Sequence, residues 1–91
     1  MFIQTEETPN PDALKFLTGK TLLEQGTYDA KGAEDATESP LAQRLFSLQG
    51  VSSVFISGDF ISITKDDLTD WNMLKPMALA AIMEHLSVDM P

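Results

Sequence analysis

Cysteine is missing from all 91 residues of the chain. Its absence rules out disulfides, a thiolate nucleophile and the sulfur ligands that zinc and iron–sulfur clusters ordinarily require. Histidine occurs once, at position 85, so a catalytic relay or nitrogen-ligated metal site has a single candidate base. Cationic charge is also scarce: six Lys and Arg stand against fourteen Asp and Glu, a formal net charge of −8. Nucleic acid is recognised through clustered cations that displace phosphate counterions, and an anionic membrane surface attracts the same groups. Both are disfavoured as partners. No run approaches the roughly 20 apolar residues of a membrane-spanning helix. Met1 leads straight into Phe2-Ile3-Gln4-Thr5, without the basic start and apolar core of a secretory signal. The expectation is a soluble protein of the cytoplasm, or of the mitochondrial matrix if the source is eukaryotic.

What is present is ordinary for a folded domain: 43% hydrophobic and 22% charged residues. The length allows one domain, spanning 1–91, with a modest core and two packed layers. Phe2 to Glu6 alternates as a short strand. Thr8-Pro9-Asn10-Pro11-Asp12 is a rigid turn, because each proline fixes its own φ and biases the residue before it. Ala13 to Leu17 reads as a second strand, with Leu14 and Phe16 on one face and Lys15 on the other. Leu22 to Tyr28 predicts an irregular third strand with Gly26 as a bulge or bend. The small, acidic stretch 29–38 predicts a mobile loop.

Ser39-Pro40 marks a helix start, with Ser39 as N-cap and Pro40 at the first helical position. Leu41, Leu45 and Leu48 form its apolar stripe, Gln43 and Arg44 face solvent, and Gly50 is expected to end the helix. Val51 to Ser57 and Phe60 to Lys65 form a hairpin closed by Gly58-Asp59, which fits a type II′ turn. From Trp71 onward Leu74, Ala78, Ala81, Ile82 and Leu86 trace a second helix ending near Ser87. Pro76 either falls in the first turns of that helix or marks a kinked start, the second being favoured. The order β-β-(β)-α-β-β-α predicts an α+β two-layer sandwich, an antiparallel sheet of two hairpins with two helices on one face.

Candidate chemistry is thin. Asp66, Asp67 and Asp70 could hold a hard cation, yet they lack the pattern of a calcium loop, and Asp70 is well placed to cap the last helix. His85, in the last helical turn, is suited to the helix dipole. Carboxylates joined with His85 remain the alternative, a weak iron-binding site. No glycine-rich phosphate loop or nucleophile elbow is present, and an enzyme is not expected. Trp71 and the methionines at 73, 77, 83 and 90 more often fill a core at helical spacing. Met73 and Met77 lie off the main stripe, which leaves room for a partly exposed patch.

Together Phe2-Ile3-Gln4, Thr8-Pro9-Asn10-Pro11, Leu14-Lys15-Phe16, Ser39-Pro40-Leu41-Ala42, Leu45-Phe46, Gly50-Val51, Asp59-Phe60-Ile61, Thr64-Lys65 and Trp71-Asn72-x-Leu74-Lys75-Pro76 resemble the N-terminal domain of Nfu-type iron–sulfur cluster proteins. The ordered set runs from Met1 to about Leu86. Thr18 departs from it, standing where many relatives have proline. The resemblance implies an α+β domain engaged in maturing iron–sulfur proteins. In two-domain relatives it precedes a second domain whose Cys-x-x-Cys motif assembles the cluster across a dimer. That second domain is absent here, so no cofactor is expected in this chain. The implied partners are assembly factors or apo iron–sulfur proteins, the chain's own cluster domain in two-domain relatives, and no second copy, a monomer being the default. A stand-alone adaptor is the competing role. The stiff turn with Lys15 is the expected docking surface, giving Pro9, Asn10, Pro11, Asp12, Lys15, Trp71 and Lys75 as candidate partner-binding residues. A rigid turn loses little entropy on binding.

Overall fold

A computed structural model describes residues 3–37 and 39–88 of the chain. Five strands build one sheet: β1 (Gln4–Glu7), β2 (Ala13–Leu17), β3 (Thr27–Ala30), β4 (Val51–Ser57) and β5 (Phe60–Lys65). Two helices accompany them, α1 (Pro40–Phe46) and α2 (Trp71–Val88), with a 3-10 turn at Ala33–Asp35. The strand order is β1-β2-β5-β4-β3, and every neighbouring pair is antiparallel. This is the expected α+β sandwich. Two hairpins, β1–β2 and β4–β5, meet along the β2–β5 seam, where Phe16 lies opposite Ile61 and Leu14 opposite Ile63.

Strand alternation decides which face is covered. Leu14, Phe16, Val54, Ile56, Ile61 and Ile63 all point to one side and are buried. Against them pack Leu41, Ala42 and Leu45 of α1 and Ala78, Ile82 and Leu86 of α2. Each fully buried aliphatic side chain contributes about 1.5–3 kcal/mol of hydrophobic stabilisation. The other face carries Lys15, Leu17, Phe55, Phe60 and Ser62. There the Phe55 and Phe60 rings lie 6.1 Å apart, and the Lys15 ammonium sits 4.1 Å from the Phe60 centroid.

Several boundaries differ from the sequence reading, each for a visible reason. The first strand is displaced to Gln4–Glu7, and Phe2 lies outside the described residues. The third strand starts only at Thr27. The amides of Leu22 and Leu23 instead donate to the Gly58 carbonyl, so this segment docks on the tip of the hairpin rather than pairing as a strand. Strand β3 runs through Ala30, and Ala30 and Ala36 are buried. The stretch expected as an acidic loop therefore supplies core contacts, and the Tyr28 hydroxyl donates to the Asp35 carbonyl at 2.8 Å. Its last residue, Glu38, lies outside the described residues.

Ser39 does cap α1, its hydroxyl accepting the Ala42 amide at 3.1 Å. The helix stops at Phe46, however, with Ser47 and not Gly50 closing it. Arg44 does not point freely to solvent: it is half-buried and pairs with Glu84 at 3.7 Å. The α2 helix begins at Trp71 and runs unbroken through Pro76, so the favoured kinked start gives way to the continuous alternative. Asp70 explains this. Its side chain accepts the Asn72 amide at 2.9 Å and its carbonyl accepts Leu74 at 3.0 Å, which fixes the helical register before Pro76 is reached.

Gly50 serves the approach of two segments. Its φ is +100°, and a Cβ there would lie 2.7 Å from Thr69 Cγ2, inside contact distance. Gly58, the first residue of the hairpin turn, has φ +50° but open space around the missing Cβ. Positive φ at Gly58 and not at Asp59 is the type II′ signature. Gly50→Ala is therefore expected to cost about 2–3 kcal/mol of unfolding free energy, from backbone strain and overlap together. Gly58→Ala should cost about 1 kcal/mol, from backbone conformation alone. Urea titrations followed by circular dichroism check the difference; equal losses would remove the Thr69 contact as a cause.

Candidate functional site

The proline turn holds its shape through its own polar groups. Asn10 opens a turn in which the Ala13 amide donates to the Asn10 carbonyl at 3.0 Å, with Pro11 supplying the fixed φ. The Asn10 side-chain oxygen accepts the Asp12 amide at 3.0 Å. Thr8 spans the loop, its hydroxyl 2.8 Å from the Asn10 carbonyl and 3.0 Å from the Ala13 carbonyl, while accepting the Asn10 amide at 3.2 Å. These bonds hold the turn through residues 8–13 alone.

Two long-range ties dock this turn on the domain. Lys65 donates its amide to the Asp12 carbonyl at 2.8 Å and its ammonium to the Asp12 carboxylate at 2.9 Å. The Lys65 side chain is 11% exposed and that of Asp12 40%, so the ammonium end of the pair is shielded while the carboxylate stays partly in solvent. On the other flank the Trp71 indole N–H donates to the Pro11 carbonyl at 3.3 Å. The Trp71 ring stands tilted against Phe16, with centroids 6.3 Å apart.

Between the turn, edge strand β1 and the first half of α2 lies a groove of about 700 Å³. Thr5, Glu7 and Leu14 form its floor, Pro9 and Pro11 one wall, and Trp71 with Lys75 and Pro76 the other. Glu7 and Lys75 are its charged side chains. Neither is engaged in an ion pair among the described residues. Chemically the groove offers apolar and proline surfaces, one cation and one anion, and no nucleophile with a positioned base.

Of the residues expected to bind a partner, Pro9, Asn10, Pro11, Trp71 and Lys75 converge on this groove. Asp12 faces away from it, toward Lys65. Lys15 lies on the opposite side of the sheet, over Phe60 and 3.9 Å from Glu6. The strand alternation that buries Leu14 and Phe16 makes that separation unavoidable. The floor residues Thr5 and Glu7 were not singled out from sequence. Their period-two spacing on β1 was the available signal, but a four-residue edge strand does not announce which side faces a groove.

The acidic group has local duties. Asp66 accepts the Leu68 amide at 3.1 Å. Its carboxyl is held below the ordinary carboxylate range, chiefly by the Thr69 side chain and secondarily by backbone amides and Lys65, against some desolvation. A depressed carboxyl stabilises the fold above its free value of 3.8, and that contribution fades as pH falls through the lowered value. Asp70 caps α2. His85 lies fifteen positions farther along α2, about 22 Å away at the helical rise. It lines a second cavity of about 450 Å³ with Leu22, Leu23, Leu41, Ile56 and Leu86. Asp66 and His85, paired in the iron-binding alternative, are thus kept at opposite ends of a helix. Among the described residues no three His, Asp or Glu side chains gather to hold a metal ion, and no helix is long and apolar enough to cross a membrane.

A family described as scaffold protein Nfu/NifU, N terminal, matches residues 3–89. The chain is 49% identical over 92 residues to the human "NFU1 iron-sulfur cluster scaffold homolog, mitochondrial", covering all of this chain and 36% of that protein. The relative of the same name from Drosophila persimilis is 47% identical, again over this whole chain and 33% of that protein. The chain thus spans about a third of the length of these relatives. Among solved structures, a NifU-like protein from Saccharomyces cerevisiae superposes with a TM-score of 0.83 at 33% identity, over 96% of this chain and 79% of that one. A Staphylococcus aureus protein reaches 0.76 at 24% identity, over 90% and 99% respectively, and speaks for the fold alone.

Lys65→Met keeps the stem of the side chain and removes the charge tie to the turn. It is expected to lower stability by about 1 kcal/mol. The Trp71 emission should shift to the red as the Pro11 wall loosens. An unchanged emission maximum together with full stability would show that the turn stands without Lys65.

Proposed function

The chain belongs to the Nfu/NifU N-terminal scaffold family, and on that premise we propose that it is the non-catalytic partner-recognition part of an iron–sulfur cluster assembly or transfer protein. Its groove engages apo iron–sulfur proteins or assembly factors. The observation carrying this reading is the pre-formed groove between the hydrogen-bonded proline turn and the Trp71–Lys75 segment of α2. A site whose walls are already ordered loses little conformational entropy when a segment enters it. Trp71 and the prolines supply stiff apolar contact, and Lys75 and Glu7 set orientation through charge.

The cluster is cargo in this scheme. With no cysteine in 91 residues, the chain lacks the thiolates that hold such clusters, so ligation falls to residues outside this sequence. The site of action is the cytoplasm or the mitochondrial matrix; the similar human and fly proteins are named as mitochondrial.

Trp71, the sole tryptophan, reports directly on the groove. Titration with a tryptophan-free apo iron–sulfur protein should shift its emission to the blue on binding. Asn10→Ala combined with Lys75→Ala should weaken the affinity about tenfold. Lys15→Ala, across the sheet, should leave it within a factor of about two. Unchanged affinity in the double variant, with the far-ultraviolet spectrum intact, would reject the groove as the docking site.

A further inference from the structure

The α2 helix has a second apolar side that the fold does not use. Among its eighteen residues only Lys75, Glu84 and His85 carry ionisable groups. Leu74, Ala78, Ala81, Ile82 and Leu86 are buried against the sheet and α1. On the reverse side Met73 is 69% and Met77 44% exposed, with Pro76 and Ala80 exposed beside them. At about 100° per residue, Met73, Met77 and Ala80 fall on one line down the helix. A surface helix normally carries charge on that side, and one that is apolar all round is ordinarily covered on both sides. Methionine suits such a surface, because its flexible thioether adapts to a partner's shape.

The charges around this stripe select what covers it. Asp66, Asp67 and Asp70, all exposed, stand at its N-terminal end next to Leu68, which is 93% exposed. Another helix laid antiparallel on α2 would bring its own C-terminal turn to these carboxylates. Cations are favoured in that turn by the helix dipole and would meet opposite charge across the interface. A second copy of the chain is a poor occupant. Each copy carries −8, a parallel pair would set the Asp groups together, and an antiparallel pair would set each beside the other's Glu84. A lipid surface is also a poor occupant, since the stripe has no flanking row of Lys or Arg to meet anionic headgroups.

We propose that the outer face of α2, centred on Met73 and Met77, is a second docking surface that takes an amphipathic helix of a partner protein, antiparallel to α2, with Lys or Arg in its last turn. This surface borders the groove at Pro76, which lines one wall of it, but is centred away from Trp71. Trp71 and Met73 are two positions apart, about 200° around the helix, so a helix on the methionine stripe does not touch the tryptophan. Trp71 emission therefore tells a helix lying on the stripe from a segment lying in the groove.

The test uses the chain and a labelled synthetic peptide of about 18 residues, with a three-turn leucine stripe and two lysines in its last turn. Fluorescence anisotropy is expected to show saturable binding with Trp71 emission unchanged. Met73→Gln with Met77→Gln should weaken it about tenfold or more while leaving thermal unfolding in place. Exchanging the peptide lysines for glutamine should weaken binding several-fold, about as much as Asp67→Asn does, and the two changes together should cost little more than either alone. If the double methionine variant fails to fold, Met73→Ser alone serves the same comparison. Absence of binding, or affinity indifferent to the methionine variants, overturns the proposal. A shift of Trp71 emission assigns the peptide to the groove and overturns it as well. So does a dimer in sedimentation that Met73→Gln/Met77→Gln disperses, or methionine-dependent adsorption to phosphatidylserine vesicles, since either names a different occupant.

Discussion

The molecule is organised by the antiparallel seam between β2 and β5. Neither hairpin buries a full apolar face by itself, and an isolated two-stranded ribbon is marginal in water. Joined along residues 13–17 and 60–64, they present Leu14, Phe16, Ile61 and Ile63 as one continuous surface. Both helices need that surface to cover their own apolar stripes. The seam is also long-range in sequence, and it forms only when chain segments almost fifty residues apart have met. Its cost in chain entropy is offset by the core it completes.

The seam reaches beyond the sheet. Just past its last paired residues, Lys65 continues the hydrogen bonding by donating to the Asp12 carbonyl, and its ammonium closes on the Asp12 carboxylate. The proline turn is thereby fastened to β5. It is fastened at the same time to α2 through Trp71. A groove with an edge strand in its floor and a turn and a helix for walls is held in shape by these two ties above the core.

The surfaces left over divide by charge. The open sheet face pairs its lysine with an aromatic ring and a glutamate. The groove keeps one cation and one anion free among the described residues. The outer side of α2 is almost uncharged between an acidic start and Glu84. With a net charge of −8, copies of the chain repel one another, and these few apolar places interrupt a mostly acidic surface.

Local chemistry was legible wherever neighbours in sequence decide the outcome. Ser39-Pro40 announced the start of α1, Gly58-Asp59 the hairpin, and the Leu74–Leu86 spacing the buried side of α2, because capping, turn geometry and helical period each act within a few residues. The absence of cysteine fixed what the chain lacks as ligand. Tertiary contacts decided the rest. Leu22 and Leu23 were drawn to the Gly58 carbonyl and not into a strand, and Ala30 and Ala36 became core because α1 and β4 closed over them. Gly50 was needed for Thr69 and not for a helix end. The partition of the candidate site, with Lys75 in the groove and Lys15 on the far side of the sheet, came from strand alternation acting through a sheet order that residue patterns do not state. Sequence sets the propensity of each segment; which side of it meets another segment depends on pairings made across the whole fold.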